Sequence, residues 1–189
     1  MKRKITITII LIGVLISSSL GIRKVFALPI SMYFTIEGVA ADQGGLQLTS
    51  VPEFSFPKAK IGAKTISVSS AGVIKVLDYR GSSSGYTVLA QATPLVREDD
   101  PTDVLAMKSF KLSLSDKQTS TIVSKSWVRG LKNVEISDKP NKICYGEADT
   151  NGLSESGTVS AVLELDTSHP PKKAGKYNGV ITYTLQDAL

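Results

Sequence analysis

Cysteine, histidine and tryptophan occur once each in these 189 residues, as Cys144, His169 and Trp127. A lone cysteine excludes an intrachain disulfide, so the fold must close on buried apolar surface alone. One histidine and one cysteine leave little from which to build a nucleophile–base pair or a zinc site, and no catalytic residue, metal or cofactor is expected. Beyond the first two dozen residues there is no run of about 20 apolar residues, so no later membrane span is expected. Helical periodicity is scarce as well, whereas period-two runs recur between turn residues.

What is present begins with Met1-Lys2-Arg3-Lys4, followed by an apolar run from Ile5 to about Ile22 and by the small-residue site Val25-Phe26-Ala27. A basic start, an apolar stretch and such a site describe a secretory signal peptide, expected as a helix over 1–27 and cut after Ala27. The alternative, an uncleaved anchor, would equally place the rest of the chain across a membrane. Five of the 22 basic residues (Lys2, Arg3, Lys4, Arg23, Lys24) and none of the 17 acidic ones lie there. Removing the signal leaves 17 charges of each sign, so the basic pI of 9.2 belongs to the export segment. No concentrated basic field remains for nucleic acid. Removing 27 of 189 residues leaves 162, enough for one domain with a sizeable core. The chain reaches Leu189 without a sortase motif and apolar tail, so covalent wall anchoring is not expected.

Strands are expected at Leu46–Ser50, Thr65–Ser69, Val73–Tyr79, Tyr86–Thr93, Phe110–Ser115, Val159–Asp166 and Tyr177–Leu185. Seven or more short alternating strands separated by Gly, Pro, Ser and Asp point to an all-β fold, a single antiparallel β-sandwich of immunoglobulin-like character. Residues 28–44 read as a flexible lead-in, 45–189 as the domain, and 94–108 and 137–157 as polar loops.

Several patterns invite a chemical reading. Gly81-Ser-Ser83-Ser-Gly85 matches the nucleophile elbow of hydrolases, with Asp166 and His169 following in order. The elbow requires a helix after its serine, and Tyr86-Thr-Val88-Leu-Ala reads as strand, so hydrolysis is rejected. Glu98-Asp99-Asp100 with Asp103 reads as solvated loop charge. Asp149-Thr-Asn151-Gly152 falls short of a calcium loop. Asp78-Tyr-Arg80 leads into a turn in which Gly81 and Gly85 can take positive φ. Asp78 can accept from turn amides or pair with Arg80. Alternatively, the Arg80 fork can clamp an anion, in which case Arg80→Ala leaves folding intact and weakens ligand binding. Trp127, with Lys125, Arg129 and Lys132 nearby, reads as a satellite core residue or as a stacking site for a glycan.

Three stretches, in order, resemble the WxL family of cell-wall-associated proteins of low-GC Gram-positive bacteria. Gly45-Leu-Gln-Leu-Thr-Ser-Val-Pro-Glu-Phe-Ser-Phe56 is similar to the family's opening strand. Val76-Leu-Asp-Tyr-Arg-Gly-Ser-Ser-Ser-Gly-Tyr-Thr-Val88 is similar to its Asp-x-Arg-Gly turn and first W-x-L. Gly175-Lys-Tyr-Asn-Gly-Val-Ile-Thr-Tyr-Thr-Leu185 is similar to the closing strand with the second. Both tryptophan positions hold tyrosine, Tyr86 and Tyr183, and Val88 stands for the first leucine, with Leu185 keeping the second. The resemblance implies a secreted module at the cell surface, attached non-covalently to peptidoglycan or an anionic wall polymer and to a co-encoded, membrane-anchored surface protein. A structural subunit held only by strand or surface pairing with that partner is the alternative. A residue pair at i and i+2 shares one strand face, so Tyr183 and Leu185 form a stripe with Ile181. That stripe reads as core, with an exposed platform for sugar rings as the other reading.

Overall fold

The computed structural model describes residues 27–37, 45–60, 62–81, 84–121, 125–169 and 174–187, with only the main chain described at 27–37, Lys60 and Lys125. The expected signal peptide, apart from Ala27, lies outside these residues, as do Ser82 and Ser83.

In chain order the strands are β1 (Ala27–Glu37), β2 (Leu46–Ser50), β3 (Ser55–Lys60), β4 (Thr65–Ser69), β5 (Lys75–Asp78), β6 (Tyr86–Ala92), β7 (Val96–Arg97) and β8 (Asp100–Val104). They continue with β9 (Met107–Leu114), β10 (Lys117–Ser120), β11 (Lys125–Gly130), β12 (Val134–Glu135), β13 (Asn141–Gly146), β14 (Gly152–Glu155), β15 (Val159–Leu165) and β16 (Tyr177–Asp187). No helix occurs among the described residues, and the architecture is all-β.

The strands form three sheets. The largest has nine strands in the order β10-β11-β13-β6-β16-β1-β3, with β7 on β16 and β8 on β7; the others run β12-β9-β15-β4 and β14-β5-β2. Pairing is antiparallel with one departure, the parallel pair of β1 and β16. A parallel pair needs a long crossover, and here the connection is nearly the whole domain, since these are its first and last strands.

The strong alternations behave as their periodicity dictates. In β15 the buried residues are Val159, Ala161, Leu163 and Leu165, and in β9 they are Phe110, Leu112 and Leu114. These side chains join those of the large sheet and of β5 in one continuous apolar core. Phe56 of β3 meets Phe110 of β9 edge to face at 6.3 Å, which locks the large sheet onto the four-stranded one.

Three stretches differ from expectation. Residues 28–37, read as part of a lead-in, are strand β1, where Leu28, Ile30, Met32, Phe34 and Ile36 alternate with other residues. The stretch 137–157, read as loop, contains β13 and β14. In β13 a bulge between Lys142 and Cys144 sets Ile143 and Cys144 both inside, so period two is broken in the sequence. The stretch 94–108 contains β7 and β8, and the only buried residues in it are Leu95, Arg97, Asp103 and Leu105. An ionic pairing in place of apolar alternation explains why its pattern reads as loop.

Candidate functional site

The two Tyr-x-aliphatic motifs meet at the centre of the large sheet. β6 and β16 are antiparallel neighbours in which Val88 stands opposite Leu185, Tyr183 opposite Ala90 and Tyr86 opposite Asp187. Tyr86, Val88, Tyr183 and Leu185 all point to the buried face, with Tyr86 1% and Tyr183 0% exposed. Both tyrosines are core, and neither ring is a platform for sugars. The Tyr183 hydroxyl lies 3.5 Å from the Pro52 carbonyl, at the limit of a hydrogen bond, and burial pushes its phenol well above the usual tyrosine range. Tyr86 is shifted the same way by burial. Its hydroxyl lies beside Ser154, although neither group forms a well-directed hydrogen bond.

The Tyr86 ring packs closely against its cross-strand partner Gly146. A Cβ at Gly146 would sit 2.3 Å from Cε1 of that ring, an overlap no rotamer relieves in a packed core. Gly146→Ala is therefore expected to destabilise the domain by about 2 kcal/mol. The check is a lower urea midpoint at unchanged slope. Gly85 does not take positive φ, contrary to expectation. Its need for glycine is a close approach, since a Cβ there would lie 2.1 Å from the Gly146 carbonyl oxygen. Gly81 is in the left-handed region at φ 66°, as its turn demands.

Asp78 and Arg80 form a brace. The Arg80 Nε and Nη2 donate to the two Asp78 carboxylate oxygens at 2.9 and 2.7 Å, and its backbone N–H also donates to Asp78 Oδ1 at 3.1 Å. Nη2 further donates to the carbonyls of Ser84 and Gly85, each at 3.0 Å, while Nη1 reaches Ser84 Oγ and Asp187. The stem of Arg80 passes over Gly45, where a Cβ would be 2.3 Å from Cγ. Chiefly through the Asp78 hydrogen bonds, the guanidinium is held more firmly charged than usual. Every arm of the fork is engaged within the chain, so Arg80 offers no spare donor for a wall anion. It ties the end of β5, the following turn and the end of β16 into one unit.

A second buried cation, Arg97, was not legible as such. It is 6% exposed and faces Asp99 at 2.7 Å, Asp100 at 3.5 Å and Asp103 at 3.6 Å. The buried Tyr177 hydroxyl donates to Asp103 at 3.2 Å, and burial is the main cause that pushes its phenol up to about 12. The acidic loop thus serves as counter-ion for Arg97. Asp166 and His169 form only an exposed turn pair, Nδ1 to Oδ2 at 2.8 Å with Ser168 alongside. No three acidic, histidine or cysteine side chains are grouped to hold a metal among the described residues.

On the opposite, solvent-facing side of the large sheet lies a second cluster. Trp127 and Arg129 are two residues apart on β11, half-buried, with the guanidinium 3.5 Å above the indole centroid. Arg129 is paired with Glu147 at 2.6 Å and Asp116 at 3.1 Å. Across the sheet Arg129 stands opposite Tyr145, Tyr145 opposite Thr87, and Thr87 opposite Gln186. The Lys142 ammonium lies 4.5 Å above the Tyr145 ring. Tyr145 and Lys142 were missed because the bulge in β13 hides the strand that presents them. No protein-family profile matches the chain, and neither does any curated protein.

Proposed function

We propose that this chain is an exported cell-wall-associated module, similar to the WxL family, that works by binding rather than catalysis. In this reading the three sheets close as two layers of a β-sandwich with immunoglobulin-like character, and the first 27 residues are the export signal. The module attaches non-covalently to peptidoglycan or an anionic wall polymer and to a membrane-anchored surface protein.

The observation that carries the reading is the convergence of the three resembling stretches. The Pro52 carbonyl lies within reach of the Tyr183 hydroxyl, Gly45 accommodates the Arg80 stem, and Val88 faces Leu185. Residues up to 131 positions apart thus form one buried assembly, as expected of a signature that specifies a fold. Cys144 supports a non-catalytic role, since complete burial pushes its thiol up to about 12 and leaves no thiolate at neutral pH.

The test is sedimentation of the exported chain with protein-free Gram-positive cell walls. Retention on walls alone is the expected result; a protein that stays in the supernatant until a membrane-anchored partner is added contradicts it. That second outcome belongs to the structural-subunit reading, which one observation favours. Tyr79 and Leu153 are 68% and 47% exposed on the outer face of the three-stranded sheet, where Leu153 stands opposite Leu77. Exposed apolar side chains grouped in this way suit a protein surface.

A further inference from the structure

The wall-binding reading leaves open where a polymer sits and which part of it is recognised. The buried tyrosines cannot touch it, and the Arg80 fork is saturated within the chain. The outer face of the large sheet has the chemistry that remains.

Along one row across four adjacent strands stand Arg129, Tyr145, Thr87 and Gln186. Trp127 lies diagonal to Tyr145, roughly 7 Å away for such a pair. Neighbouring strands are about 4.8 Å apart, so the row offers a new side chain about every sugar width. Two half-buried aromatic rings are steadied by stacked cations, Trp127 under Arg129 and Tyr145 under Lys142. The two cations of the cluster, Arg129 and Lys142, are matched in number by the carboxylates Glu147 and Asp116, so this part of the face carries little net field. Beside the rings, the Thr87 hydroxyl and the Gln186 amide have no side-chain partner among the described residues. Fixed rings give sugar C–H faces something to lie against, and uncommitted hydroxyl and amide groups give hydroxyls and N-acetyl groups their hydrogen bonds. An anionic polymer would instead require a surplus of cations over carboxylates, which this part of the face lacks.

Resting on the wall-binding reading, we infer that this row, with Trp127 beside it, binds the uncharged sugar backbone of a wall polysaccharide. Trp127 is the only tryptophan of the chain, so its fluorescence reports on this face alone.

The experiment uses the exported chain, walls with and without teichoic acid, and soluble glycan strands released from stripped walls by an amidase that cuts the bond between the glycan and its stem peptides. The wild type is expected to stay on stripped walls in about 1 M salt, where screening reaches about 3 Å, and to shift its tryptophan emission with the soluble glycan. Tyr145→Ala and the solvent-facing Thr87→Glu are expected to lose about tenfold or more in affinity at unchanged melting temperature. Ser67→Ala, exposed on β4 of the four-stranded sheet, is expected to bind as the wild type does. Wild-type affinity in both face variants overturns the assignment of this surface and leaves wall binding standing. Retention that needs teichoic acid and vanishes in salt overturns the neutral-sugar assignment. A wild type that binds no wall preparation overturns the reading beneath both.

Discussion

Arg80→Ala is expected to cost the domain about 3 kcal/mol, the lower end of the range for breaking a buried ion pair by removing one partner, since Asp78 is buried and Arg80 partly so. Asp78 is 3% exposed and would keep its carboxylate without the bidentate fork. The turn carbonyls of Ser84 and Gly85 would lose their donor, and β16 would lose its tie through Asp187. Arg80→Lys retains the charge but not the planar fork, so it should recover only part of the loss. Urea unfolding reads this directly as a fall in midpoint. A double-mutant cycle with Asp78→Asn should show strong coupling between the two sites. An unchanged midpoint in Arg80→Ala would contradict the brace. This replaces the anion-clamp expectation, in which the same substitution left folding intact; the internal occupancy of the fork is the reason.

Alkali should unfold the domain cooperatively. Tyr86, Tyr177 and Tyr183 all have phenols raised by burial, Tyr177 to about 12, and the Cys144 thiol is also pushed up to about 12. In the unfolded chain these groups titrate near their ordinary values of about 10 and 8.5. Raised folded values mean that the stability they contribute is complete below the unfolded values and is lost as pH rises through the folded ones. With three phenols and one thiol still protonated in the fold but ionised when unfolded, stability falls by about 5 kcal/mol per pH unit above pH about 10. Typical domain stabilities of 5–15 kcal/mol would be exhausted within a few units. Tyrosinate absorbance and far-ultraviolet dichroism should therefore change together in one steep step near pH 11–12. Smooth ionisation of all six tyrosines near pH 10, with the dichroism intact, would contradict the buried tyrosine core.

Much of this core is legible from alternation alone. Phe110-x-Leu112-x-Leu114, Val159 to Leu165 and Tyr177 to Leu185 are half-buried strands whose period survives intact, and they supply the centre of the fold. Elements held by something other than alternating apolar residues are less legible. The bulge in β13 buries two consecutive residues, β8 is organised by Arg97, and β10 is a short strand of Lys, Gln, Thr and Ser at the sheet edge. Such an edge resists unwanted pairing because it is polar, and the same polarity makes it read as loop. For the candidate site, the sequence places Asp78 beside Arg80 but carries no sign of Asp187, which is 107 residues away. Trp127 and Arg129 are visible as a pair. Their alignment with Tyr145, Thr87 and Gln186 depends on strand register, which no local pattern contains.

The two tyrosine motifs lie side by side on one buried face, and nuclear Overhauser contacts in the labelled protein test that directly. Cross-peaks between the Val88 and Leu185 methyl groups, and between the Tyr183 ring and the Ala90 methyl, are predicted by the register of β6 and β16. Contacts shifted by one residue, with Thr184 facing Val88 or the Tyr183 ring in solvent, would contradict it.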